Sequence, residues 1–149
     1  TRRLIEAFEV ELPCAAVAVQ EVAGEALSRY GVIDGRERGD GLIDVRQVVE
    51  KPDPGSAPSR WAVAARYVLA PNVIAELGCT APDAGGESQV ADALNALLAR
   101  GERVLAVPLD AGELRHDIGT IDAYATTFVR YALRDPRLAR QVRALLADG

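Results

Sequence analysis

The chain has 149 residues, enough for one domain with a sizeable core, and its 49% hydrophobic and 26% charged content excludes disorder. A net charge of −5 argues against a nucleic-acid surface, which needs a basic face. No apolar run reaches the roughly 18 residues that span a bilayer.

Residues 2–9 read as a helix with Leu4, Ile5 and Phe8 on one face, and Ala15 to Val19 as a short apolar strand. A turn around Gly24 leads to a strand over Tyr30 to Asp34. Gly35 to Gly41 has the composition of a hairpin loop, and Leu42 to Glu50 returns as a strand. Residues 53–58 form a loop held extended by prolines. Trp61 to Leu69 alternates apolar and small residues and is predicted as a strand carrying Arg66 and Tyr67, with Trp61 and Tyr67 read as core.

The second part is more helical. Pro71 opens a short helix through about Leu77, and 80–86 is a loop. Val90, Leu94, Leu97 and Leu98 mark an amphipathic helix ending before Gly101, and Arg103 to Pro108 is a strand. Thr120 is a candidate cap for a helix on Ile121, Tyr124, Ala125, Phe128 and Tyr131. Asp135 caps a last helix that begins with Pro136 and carries Leu138, Val142, Leu145 and Leu146. Cys14 beside a strand and Cys79 in a loop have no metal-ligand spacing and read as reduced thiols of a cytoplasmic protein.

The most informative stretch is Val48-Val49-Glu50-Lys51-Pro52. A β-branched run stops at a proline, which has no N–H to donate to a ladder, so Glu50 and Lys51 stand at a strand end. Such a pair can serve a phosphorylated sugar: the carboxylate accepts hydrogen bonds from hydroxyls and the ammonium holds a phosphate. An ordinary surface ion pair, worth less than about 1 kcal/mol, has the same signature. His116 is the only histidine and reads as a bystander.

The pair keeps specific company: Arg29-Tyr30-Gly31-Val32-Ile33-Asp34 upstream, then Ala57-Pro58-Ser59, Ala65-Arg66-Tyr67-Val68-Leu69, Gly85-Gly86-Glu87-Ser88-Gln89-Val90-Ala91-Asp92-Ala93 and His116-Asp117-Ile118-Gly119-Thr120. In this order the blocks resemble the second half of bacterial UTP–glucose-1-phosphate uridylyltransferases and, more broadly, the sugar-phosphate nucleotidyltransferases, from about Leu4 to Leu133. The resemblance implies an α/β fold, namely the C-terminal half of a Rossmann-like nucleotidyltransferase with a mixed sheet flanked by helices. Residues 1–134 would be the sugar-phosphate-binding half and 135–149 a C-terminal helix.

It further implies a nucleotidyltransferase that forms UDP-glucose and pyrophosphate from UTP and glucose 1-phosphate, is cytoplasmic, uses Mg2+ and is a homo-oligomer. Lys51, the only lysine, would be catalytic by neutralising the sugar phosphate; Glu50, Lys51, Ala65 and Glu87 would bind substrate, with Gln89 and Asp92 completing the Glu87 run; Asp117 would ligate the metal. Acids at 87 and 117 are equally suited to helix N-termini.

Three departures stand out. Ala65 replaces the family's usual glycine, Thr120-Ile121-Asp122 replaces a segment with a lysine, and no Gly-rich nucleotide loop is present. The chain is therefore expected to be a piece of a longer enzyme, inactive alone. The alternative is a non-catalytic sugar-phosphate-binding or assembly module.

Overall fold

The computed structural model describes residues 1–82, 86, 88–116 and 118–147. They form two compact units, Thr1–Glu113 and Leu114–Gly149.

The first unit is built on β1 (Ala15–Glu21), β2 (Gly31–Glu37), β3 (Ile43–Glu50), β4 (Trp61–Leu69) and β5 (Val104–Pro108). The expected mixed sheet with helices holds, and the sheet goes further by closing into a barrel in the order β1-β4-β2-β3-β5. Among the described residues only β1 and β5 run parallel; the other pairs are antiparallel. Two seams are narrow: β2 meets β4 at Val32 opposite Ala62, and β3 meets β5 at Ile43 and Asp44 alone.

β1 is apolar from Ala15 to Val19 because both of its faces are covered there. Ala15, Val17 and Val19 enter the larger core with Ile33, Ile43, Val45, Val48, Val104 and Ala106. Ala16 and Ala18 face a smaller cluster with Leu4, Ala64 and Val107, against which Phe8 packs. Leu4 and Phe8 belong to α1 (Arg2–Glu11). The larger core is completed by Val73 of α2 (Pro71–Cys79) and by Ala91, Leu94 and Leu97 of α3 (Val90–Ala99). Pro71 occupies the first turn of α2 as expected.

Charge fastens the barrel's start. Arg38 donates two hydrogen bonds to the Glu11 carboxylate, at 3.1 and 3.0 Å, and Arg103 donates a third at 2.9 Å. The end of α1, the β2–β3 hairpin and the approach to β5 thus share one acid. Those guanidinium bonds lower the Glu11 pKa from 4.5 to about 2 and raise that of Arg38.

Three expectations need correction here. Gly35 to Glu37 is strand, not loop: Gly35 lies at an irregularity in the β2–β3 register, where a Cβ would stand 2.7 Å from the Asp44 carbonyl oxygen. This glycine permits close backbone approach rather than a turn. The turn around Gly24 is a 3-10 helix, Gly24–Arg29, and Cys79 is the last residue of α2 rather than a loop residue.

The second unit holds α4 (Ile121–Ala132) and α5 (Pro136–Ala147). The Thr120 hydroxyl accepts from the Ala123 N–H, and Asp135 Oδ1 accepts from the N–H groups of Arg137 and Leu138, so both predicted caps form. The apolar residues that marked α4, Ile121, Tyr124, Phe128 and Tyr131, are exposed, whereas Ala132 and Ala139 are buried.

Candidate active site

The end of β3 is defined residue by residue. Glu50 lies opposite Gly31 on β2, and the Lys51 N–H donates to the Tyr30 carbonyl at 3.1 Å. Lys51 then leaves the strand with φ +43°, and Pro52 behind it is buried. Its Nζ comes to rest 3.7 Å from Glu50 Oε1, with 63% of the Lys51 side chain and 37% of the Glu50 side chain exposed.

Magnitudes decide how this pair should be read. An exposed ion pair of this kind contributes less than about 1 kcal/mol. Left-handed backbone at a residue with a Cβ costs about 1–2 kcal/mol. The local arrangement is therefore no net source of stability, and it persists because the paired strand and the buried proline dictate it.

Gly31 connects this strand end to β4. A Cβ at Gly31 would stand 3.1 Å from Glu50 Oε2, 3.5 Å from Val63 Cγ2 and 3.6 Å from Val48 Cγ1. The Glu50 carboxylate therefore lies over the glycine, with β4 on the other side. Two residues beyond Val63, Ala65 has φ +52°. It sits where the β1–β4 register shifts, so that Ala64, Ala65 and Arg66 oppose Ala18 alone. Among the described residues, Lys51, Ala65 and Leu12 are the non-glycine residues with positive φ, and Leu12 is simply the C-cap of α1. Two proposed substrate-binding residues thus hold conformations that favour glycine.

Ser59 fixes the entrance to β4, donating its hydroxyl to the Ile33 carbonyl and accepting from the Trp61 N–H. Trp61 packs against the core, as expected, and its indole N–H donates to Glu37 at 2.8 Å. Tyr67 is 36% exposed, which corrects its reading as core: the backbone irregularity at 64–66 interrupts the strand's alternation before it.

Glu87 and Asp117 lie outside the described residues. Of the run that contains Glu87, Gln89 is the N-cap residue of α3 and Asp92 falls in its first turn. Among the described residues no group of three or more histidines, cysteines or carboxylates could hold a metal ion. In the second unit His116 stands edge-on to Tyr131, centroids 5.4 Å apart, which suits a packing role.

One residue at this strand end escaped the sequence reading. Asn95 of α3 accepts from the Val48 N–H through Oδ1 and donates from Nδ2 to the Val48 carbonyl, both at 2.8 Å. Its signal was available: a single amide within the apolar run Ala93-Leu94-Asn95-Ala96-Leu97-Leu98.

Comparison with known proteins places this geometry in a family. Residues 3–133 match the model of the nucleotidyl transferase family, and the chain belongs to it. It is 34% identical over 145 residues to the UTP–glucose-1-phosphate uridylyltransferase of Staphylococcus epidermidis, covering 97% of this chain and 49% of that enzyme. With the enzyme of that name from Pseudomonas aeruginosa it is 49% identical over 81 residues, 54% of this chain and 29% of the other. A crystal structure of a UDP-glucose pyrophosphorylase complexed with UDP-glucose superposes with a TM-score of 0.80 at 32% identity, over 90% of this chain and 49% of that one. A UTP-bound enzyme from Acinetobacter baumannii gives a TM-score of 0.81 at 26% identity, over 97% and 48%. The chain spans about half the length of the Staphylococcus epidermidis enzyme and of the UDP-glucose pyrophosphorylase it matches. No described helix is long and apolar enough to cross a membrane.

Proposed function

We propose that this chain is the sugar-phosphate-binding, C-terminal half of a Rossmann-like UTP–glucose-1-phosphate uridylyltransferase, with residues 1–134 forming that half and 135–149 a terminal helix. The observation that carries the reading is the Glu50–Lys51 pair, held 3.7 Å apart at a strand end in backbone that stability alone does not favour. Membership of the nucleotidyl transferase family and the likeness to uridylyltransferases support it.

In this reading the phosphate of glucose 1-phosphate attacks the α-phosphorus of UTP. The bond from that phosphorus to the oxygen bridging to the β-phosphorus breaks, and pyrophosphate leaves. The nucleophile is already an anion, so no protein base is required. Two anions must nevertheless approach each other, and the Lys51 ammonium offsets their repulsion while fixing the attacking oxygen. Glu50 accepts hydrogen bonds from the sugar hydroxyls, and Ala65 and Glu87 line the sugar's surroundings. Asp117 is the proposed ligand of Mg2+, a hard cation that takes oxygen donors. UTP is held by residues of the other half. A cytoplasmic homo-oligomer completes the proposal.

The test, made on the complete enzyme in which this half is joined to the nucleotide-binding half, is pyrophosphate release together with calorimetric binding of glucose 1-phosphate. Lys51→Met should lower turnover by about 100-fold or more with the fold intact, because the side chain is exposed and contributes little stability. Near-normal turnover in a folded Lys51→Met protein would remove Lys51 from the mechanism. Binding of glucose 1-phosphate with no pyrophosphate release, even with the nucleotide-binding half present, would favour the alternative, a non-catalytic binding module.

A further inference from the structure

We infer that Asn95 is a positioning residue for the Glu50–Lys51 pair, a side-chain clamp that takes the place of a missing strand at the end of β3. The inference rests on the reading of that pair as a sugar-phosphate site.

The register supplies the first step. In an antiparallel ladder, successive residues direct their N–H and C=O groups alternately toward one neighbour and then toward the other side. Lys51 spends its N–H on Tyr30 of the β2 side. Residues 50 and 48 therefore turn their backbone groups away from β2. On that outer side β5 pairs with Ile43 and Asp44, so among the described residues the strand beyond Asp44 has no second strand beside it. Partly buried peptide groups left unpaired there would be destabilising.

Asn95 meets the need at Val48. A carboxamide carries a donor and an acceptor side by side, the same pair that a peptide group of an adjacent strand would present. Both bonds to Val48 are 2.8 Å long. The clamp has a rigid base, since Ala93, Leu94 and Leu97 of the same helix are buried. It therefore fixes β3 two residues before Glu50 and three before Lys51. The helix also continues the run of Gln89 and Asp92, so one amide ties that segment to the acid–base pair. Neighbours in the helix pack and cannot replace it, because apolar side chains offer no such donor and acceptor.

Two variants and two readouts test the clamp. Asn95→Ala removes both bonds. In the folded variant the Lys51 amide should exchange with solvent about 10-fold faster than in wild type, while the Val17 amide in β1 is unchanged, and glucose 1-phosphate should bind about 10-fold more weakly. Asn95→Asp retains the acceptor but repels the Val48 carbonyl when ionised; protonated, it can donate to that carbonyl again. The affinity ratio of wild type to Asn95→Asp should therefore be about 10-fold at pH 8 and shrink as the pH is lowered toward about 4, where an aspartate takes up its proton. If Asn95 served only overall stability, the folded Asn95→Ala variant would keep the wild-type Lys51 exchange rate and the wild-type affinity. An unchanged Lys51 exchange rate in Asn95→Ala, or a pH-independent ratio for Asn95→Asp, overturns the inference. If the wild type binds no glucose 1-phosphate, the functional reading fails on its own, and the Lys51 exchange rate alone supports or overturns the clamp.

Discussion

The carboxylate of Glu50 lies over Gly31, its partner across the β2–β3 ladder, so closely that the Cβ the glycine lacks would stand 3.1 Å from Oε2. The acid's position at the strand end thus depends on a missing side chain in the neighbouring strand.

Gly31→Ala should therefore separate stability from binding. Gly31 has no positive φ, and the atom that must move is the tip of a flexible side chain, so the loss of stability should stay below about 1 kcal/mol, or about 2–4 °C in unfolding temperature. Displacing the carboxylate should nevertheless weaken glucose 1-phosphate binding by about 10-fold, given what small misplacements cost at such sites. Unaltered affinity in calorimetry would show that Glu50 does not contact the sugar.

Ala65→Gly should leave the protein as stable or more so. At φ +52° an alanine bears about 1–2 kcal/mol of left-handed strain, against about 0.5–1 kcal/mol that glycine loses through backbone entropy. The expected gain is up to about 1.5 kcal/mol, read as a rise of a few degrees in thermal unfolding. A loss of more than about 1 kcal/mol would mean that the Ala65 methyl makes packing contacts that outweigh the strain. If Ala65 borders the sugar, the same change should alter relative affinity among hexose 1-phosphates, measured by competition.

Acid should loosen the barrel through Glu11. Its carboxyl titrates at about 2 in the folded chain, below its ordinary 4.5, because Arg38 and Arg103 bond its ionised form. A depressed folded pKa gives stability that is present above pH 4.5 and is lost as pH falls toward 2. Glu11→Gln cannot titrate, so the gap between the urea midpoints of wild type and variant should narrow steadily over that interval. A gap that stays constant from pH 5 to pH 2 would show that the guanidinium bonds do not form in solution.

Local rules made much of the chain legible in one dimension. Thr120 and Asp135 each offer a side-chain oxygen to N–H groups two or three residues ahead, and Pro71 needs only its fixed φ to start a helix. The apolar run of β1 and the stop at Lys51-Pro52 were equally readable, since burial pattern and a missing N–H are properties of neighbouring residues. So were the motif blocks that resemble the uridylyltransferases.

The rest was settled only when distant segments met. Gly35 looks like a hairpin glycine until the Asp44 carbonyl, across the ladder, takes the space of its Cβ. Nothing near Ala65 in sequence announces left-handed backbone; the register with β1 imposes it. The Asn95 amide finds Val48 only because α3 packs beside an edge that β5 has ceased to cover. The amino-acid sequence determined which residues could carry charge, cap a helix or end a strand. The tertiary structure decided which of them share a site, because backbone pairing and close approach join positions that no local pattern relates.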